Sequence, residues 1–163
     1  MKRYWWHCTS EYHGETWTAF RRCPKHRSSG EPDTPRLCVA PTIAECFAAV
    51  LFAESKPVYC YRSTKKCNGV SPKNVWDSAV TREAWLIPPA EMVLSKTIAS
   101  IDVQAAQEFV RMYHASTRKN STLHVRVAQL MCAAKVVGGP AIQDRAKRCL
   151  AICGIHDAEE YLF

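Results

Sequence analysis

No stretch of this sequence approaches the ~20 consecutive apolar residues that a membrane-spanning helix requires. The opening residues, MKRYWWHCTSEYHGE, contain no uninterrupted apolar core of the kind a secretory signal carries, so the chain reads as cytoplasmic, with no membrane partner. Paired C-x2-4-C knuckles are also missing. Cys149 and Cys153 lie one helical turn apart, and CPKH at residues 23 to 26 stands alone, so no metal site is expected. No internal repeat is visible.

What is present suits one domain, or one domain with an appended subdomain: 163 residues, 47% hydrophobic and 23% charged. A chain of this size buries roughly 70% of its unfolded surface, enough for a core without covalent staples. Nine cysteines are scattered along it. Without an export signal they read as reduced thiols serving as small hydrophobes. The formal charge of +7 favours a polyanionic partner: nucleic acid, a nucleotide's phosphates or an acidic protein surface.

The periodicity predicts strands over 2–9, 16–22, 36–40, 57–63, 83–89 and 91–98, the fifth stopped by two prolines. Residues 27–35 (RSSGEPDTP) read as a mobile loop, 64–74 as a basic loop, and 75–82 as extended or a single turn. The clearest helix spans 41–54. Thr42 and Glu45 form a T-x-x-E capping box, and Ile43, Phe47, Val50 and Leu51 make one apolar stripe. Beyond Ser100 three helical patterns follow: one through Val103, Ala106, Phe109, Val110 and Tyr113, one from Leu123 to Ala134, and one from Ile142 to Cys153. The break between the second and third is GGP. The expected organisation is therefore α+β, with a β-rich body over 1–98 and a helical hairpin or bundle over 99–163.

Three motifs recur in a telling order. HCT at residues 7–9 sits in the first strand, and VAPTIAECFA at 39–48 ends a strand and opens a helix. TREAWLIPP at 81–89 places Glu83 just before a strand. This order resembles the ADP-ribosyltransferase fold family, with related arrangements in rifampin ADP-ribosyltransferases and RNA 2′-phosphotransferases. The resemblance covers residues 1–98 and implies a mixed β-sheet body that uses NAD. The second motif departs from the family in having Ala40-Pro41-Thr42 rather than Ser-Thr-Ser, and Ala84 separates Glu83 from the apolar strand.

What the resemblance implies for each residue follows from the chemistry. Breaking a nicotinamide–ribose bond develops positive charge on the sugar, as in glycoside hydrolysis. Glu83 would stabilise that charge as a catalytic carboxylate. His7, the second catalytic candidate, would hydrogen-bond the ribose on the adenosine side, and Thr9, on the same strand face, would help hold the nicotinamide half. Thr42, Tyr59 and Tyr61 are the further cofactor-binding candidates, the tyrosines either stacking on the nicotinamide or packing beneath it. Arg36 or Arg62 would meet the pyrophosphate. The implied reaction is transfer of ADP-ribose from NAD to an acidic macromolecule, protein or nucleic acid. The competing expectation is the same fold without catalysis: a binding or inhibitory module, such as a phage or mobile-element effector acting on a host complex. A third is nucleic-acid binding by the basic tail, through Arg118, Lys119, Arg126, Lys135, Arg145, Lys147 and Arg148.

Overall fold

Alternating apolar and polar residues become two antiparallel ladders. In the computed structural model, residues 1–20, 34–50, 52–53, 55–72, 78–104, 122–137 and 140–152 are described. The strands are β1 (Trp6–Thr9), β2 (Thr16–Ala19), β3 (Leu37–Val39), β4 (Val58–Ser63), β5 (Ala84–Leu86) and β6 (Ala90–Ile98). Four form one sheet in the order β1-β4-β6-β2, and β3 pairs with β5 in a second. The backbone hydrogen bonds exchanged by Trp6 and Ala40 tie the two sheets together at β1.

The protein is α+β. Every described strand pair is antiparallel, where a mixed sheet was expected. The reason lies in the partners: the helix after β3 leads to β4, yet β3 pairs with β5 while β4 lies between β1 and β6. The strand–helix–strand connection therefore crosses from one sheet to the other and closes no parallel pair.

The helices are α1 (Ile43–Ala49), a single turn α2 (Ser78–Thr81), α3 (Thr122–Val137) and α4 (Pro140–Ile152). Residues 100–104 are also helical. At the start of α1 the expected cap is realised: Thr42 Oγ1 accepts the Glu45 N–H at 3.3 Å and donates to the Glu45 carboxylate at 2.8 Å. The helix ends five residues before the expected 54. Val50 is already extended, with φ −138°, and 46% exposed, so it leaves the predicted apolar stripe. Its carbonyl is taken by the Gln129 side-chain amide of α3 at 3.0 Å, which satisfies a helix-end acceptor from outside the helix.

Two apolar clusters lie on opposite sides of the four-stranded sheet. On the helix side, Cys8, Val58, Cys60 and Ile98 meet Cys46 and Phe47 of α1, Val127, Leu130 and Met131 of α3, and Ala146 of α4. One cluster thus spans the boundary expected near residue 99. Between the sheets, Trp5, Tyr61, Met92 and Ala19 meet Leu37, Val39, Ala84 and Leu86. Pro140 opens α4, a position where the missing N–H costs nothing.

Several expectations lie outside the described residues. These include residues 21–33 with CPKH and the expected loop, Leu51, residues 73–77, most of the first tail helix with Ala106, Phe109, Val110 and Tyr113, and Arg118, Lys119 and Cys153. Among the described residues no helix is long and apolar enough to cross a membrane.

Candidate functional site

Strand β1 sends successive side chains to opposite faces. His7 lies opposite Tyr61 of β4, and Thr9 opposite Tyr59. Directly opposed residues of an antiparallel pair share a face, so these four candidates stand together on the side turned toward the second sheet. His7 is buried, and its Nδ1 lies 2.8 Å from the Cys38 carbonyl. A carbonyl only accepts, so Nδ1 carries the proton of that bond.

Cys38 is the middle residue of β3 and lies opposite Trp85 of β5. Its thiol pKa is pushed up to about 12, chiefly by burial, then by the charge of Glu83 and a hydrogen bond to it, while Arg36 opposes the shift. The thiol therefore stays protonated and donates to the Glu83 carboxylate. Glu83 accepts a second hydrogen bond, 2.8 Å long, from the Trp85 indole N–H. Its own backbone N–H is received by Thr81 Oγ1 at 3.3 Å. His7, Cys38 and Glu83, from three distant stretches of sequence, are thus joined at the meeting of β1, β3 and β5.

The remaining candidates are placed differently. Arg36 is 2% exposed, with its guanidinium 4.1 Å from the Trp85 ring centre, so it is packed into the junction. Tyr61 is fully buried, donating its hydroxyl to the Gly14 carbonyl at 3.1 Å and accepting the His13 N–H at 2.8 Å. That is packing beneath a surface rather than stacking upon one. Tyr59 is half-buried, its ring 5.2 Å from Tyr12. Thr9 Oγ1 accepts the Glu11 N–H at 3.1 Å, closing a local turn. Thr42 is occupied as the cap of α1. Arg62 lies over the ring of Tyr4 at 4.6 Å, away from the junction.

Cys38, Trp85 and Arg82 are not anticipated from the sequence, and His13, in a loop-rich stretch, is not expected to take part. Arg82 binds the fully buried carboxylate of Glu45 and adopts φ 44°, a conformation uncommon outside glycine and asparagine. That carboxylate is also held by Thr42, so the second motif is linked to the residue just before Glu83. His13 stacks on Trp17, with ring centres 4.1 Å apart, and His7 approaches the same indole at 5.5 Å. The available signal was alternation: Arg36 and Cys38, like Glu83 and Trp85, are spaced by two, the first of each pair standing just before its strand. Spacing gave no hint that the two pairs meet.

Two of the cavities among the described residues bear on the site. One, of about 580 Å³, is bounded by Thr18, Lys65, Val70, Trp85, Ile87 and Glu91. The other, of about 330 Å³, is bounded by Arg3, Trp5, Pro41, Asn68, Gly69 and Arg82. Neither is lined by His7, Thr9, Tyr59 or Glu83. The smaller touches each motif through a near neighbour: Trp5 is two residues before His7, Pro41 precedes Thr42, and Arg82 precedes Glu83. Among the described residues no cluster of histidine, cysteine and carboxylate side chains could hold a metal ion. Comparison with protein-family models, with curated proteins and with solved structures yields no match to this chain.

Proposed function

We propose that the protein belongs with the ADP-ribosyltransferase-like folds and transfers ADP-ribose from NAD to a macromolecule. The observation that carries this reading is the His7–Cys38–Glu83 junction. The first and third motifs, some seventy-five residues apart, converge there through Cys38, which stands next to the second motif; its carbonyl meets His7 and its thiol meets Glu83. A polar imidazole and a carboxylate set against Trp17, Trp85 and Tyr61 form a half-apolar site with few polar groups, the usual make-up of a ligand cleft.

Each residue then has a defined task. His7, its Nδ1 proton held by the Cys38 carbonyl, hydrogen-bonds a ribose hydroxyl. Glu83 supplies negative charge where the sugar becomes positive as the bond to nicotinamide breaks. The indole of Trp85 and the Cys38 thiol hold that carboxylate in one orientation, which saves reorganisation during the reaction. The acceptor's nucleophile bonds to the ribose carbon that nicotinamide leaves, and its proton passes to solvent.

A second reading has its own support. Glu83 already has two side-chain donors, and the hydroxyls of Thr9 and Thr42 serve local turns and caps. A site so occupied also suits a binding module that has no transferase activity. Glu83→Gln separates the two. With labelled NAD and a cell extract as acceptor, the transferase labels a macromolecule and the variant loses at least about 100-fold of that rate, as for the removal of one electrostatic stabiliser. If wild type labels nothing while both proteins still bind NAD, the module reading stands and the transferase reading falls.

A further inference from the structure

The surface at the N-terminal end of the β1–β4 ribbon is used by none of the chemistry above. Arg3 and Cys67 exchange backbone hydrogen bonds of 3.2 and 3.0 Å, which brings residues 2–5 beside 65–69. That pairing gathers cations. Lys2, Lys65 and Lys66 are exposed, Arg3 is half-buried, and Arg82 closes the far side of the 330 Å³ cavity. No carboxylate occurs among the described residues that line this cavity. Glu45, the anion nearest Arg82, is fully buried and already bound to its Nε.

Aromatic rings are interleaved with these charges. Tyr4 is 37% exposed, with Arg62 at 4.6 Å and Lys66 at 5.7 Å from its ring centre. Arg3 lies 5.5 Å over the Trp5 ring. Gly69 closes the cavity floor: a Cβ there would sit 2.7 Å from Ala84 Cβ and 2.8 Å from Trp5. The pairing of Arg82 with Glu45 fixes the arginine side chain and leaves its Nη groups, the end whose fork matches a phosphate.

From this arrangement we infer that the cavity between Arg3 and Arg82, with the cationic rim around Tyr4, is a docking surface for a single strand of nucleic acid, one backbone phosphate seated in the cavity. An acidic protein face would also be attracted by the charge. It would leave the exposed Tyr4 ring unused, whereas a single strand brings a phosphate for the two arginines and bases to stack on that ring. Within the proposed function this surface names the acceptor's class, and it rests on that reading only there. Binding itself needs neither NAD nor Glu83.

The test is fluorescence anisotropy with a labelled oligothymidylate of about twenty nucleotides, in the absence of NAD, beside polyglutamate of similar length. With about four phosphate contacts, affinity falls roughly 50-fold between 50 and 200 mM salt. Arg3→Ala weakens binding severalfold and flattens the salt dependence. Arg82→Lys does the same while preserving a cation for Glu45, which guards against a folding failure. The double variant Lys56→Ala/Lys96→Ala, exposed cations elsewhere, stays within twofold of wild type. Absence of oligonucleotide binding overturns the proposal. So does polyglutamate binding of equal strength, or an equal loss in the Lys56/Lys96 variant. Calorimetry with NAD on the same Arg3→Ala protein reports separately on the nucleotide reading, so either idea can fail alone.

Discussion

The two sides of the β1–β4 ribbon are made by the same strands and have opposite chemistry. Trp6 and Cys8 point to the helices, while Trp5, His7 and Thr9 point to the second sheet. On the helix side the neighbours are small and apolar: Ala44, Ala48, Ala128, Ala133 and Ala134 pack with Phe47, Leu130 and Met131. The thiols of Cys8 and Cys60 lie 3.5 Å apart there. Burial, followed by hydrogen bonds to Cys46 and Cys60, holds the Cys8 thiol well above its ordinary pKa. Between the sheets the rings of Trp5, Trp17 and Tyr61 pack with Leu37, Leu86 and Met92, beside the buried His7 and Arg36. Alternation along one strand has therefore divided labour. One face supplies stability through close packing, and the other spends burial on a histidine, an arginine and a carboxylate.

That comparison can be broken most sharply on the helix side. Phe47→Ala removes a 4%-exposed ring that packs on Phe52 at 4.8 Å. A loss of about 3–5 kcal/mol is expected in urea unfolding. At temperatures where the variant remains folded, ligand binding should be unchanged. A large binding defect in the folded variant would show that the two sides are not separable.

Alkaline pH sharpens the comparison from the other side. In the folded protein the Cys38 thiol titrates near 12, against 9.0 for an ordinary cysteine. Its proton is therefore retained on folding. The stability this provides is full below pH 9 and declines as pH rises toward 12, at no more than about 1.4 kcal/mol per pH unit. Cys38→Ala should remove part of that slope, and Cys8→Ala another part from the helix side. An unchanged slope in Cys38→Ala would remove the thiol from the junction.

The smallest effect is expected at Tyr61. Tyr61→Phe deletes a hydroxyl that serves both Gly14 and His13, leaving a half-buried N–H without its acceptor, at a cost of about 1–2 kcal/mol. Because Tyr61 is fully buried, its loss should leave ligand affinity within a few-fold of wild type in calorimetry. A collapse in affinity would restore Tyr61 as a contact residue.

Much of this architecture could be read in the sequence where the information is local. The T-x-x-E box placed the start of α1, and period-two alternation placed β4 and β6 and put His7 with Thr9. The end of α1 was not legible, because Gln129 of a distant helix completes it. Nor was the junction, because Cys38 and Glu83 are separated by α1, β4 and α2, and only the β3–β5 register brings them together. Arg36 and Tyr61 carry polar groups that suit a ligand equally well, and local sequence could not show that tertiary packing had already used them.

The claim on which the account rests is that His7, set by Cys38 and joined through it to Glu83, forms an NAD site. Calorimetric titration of wild type with NAD, beside His7→Ala of verified fold, tests it most directly. The account predicts saturable heat for wild type and none for the variant. No heat from either protein at millimolar NAD, or equal heat from both, would contradict it.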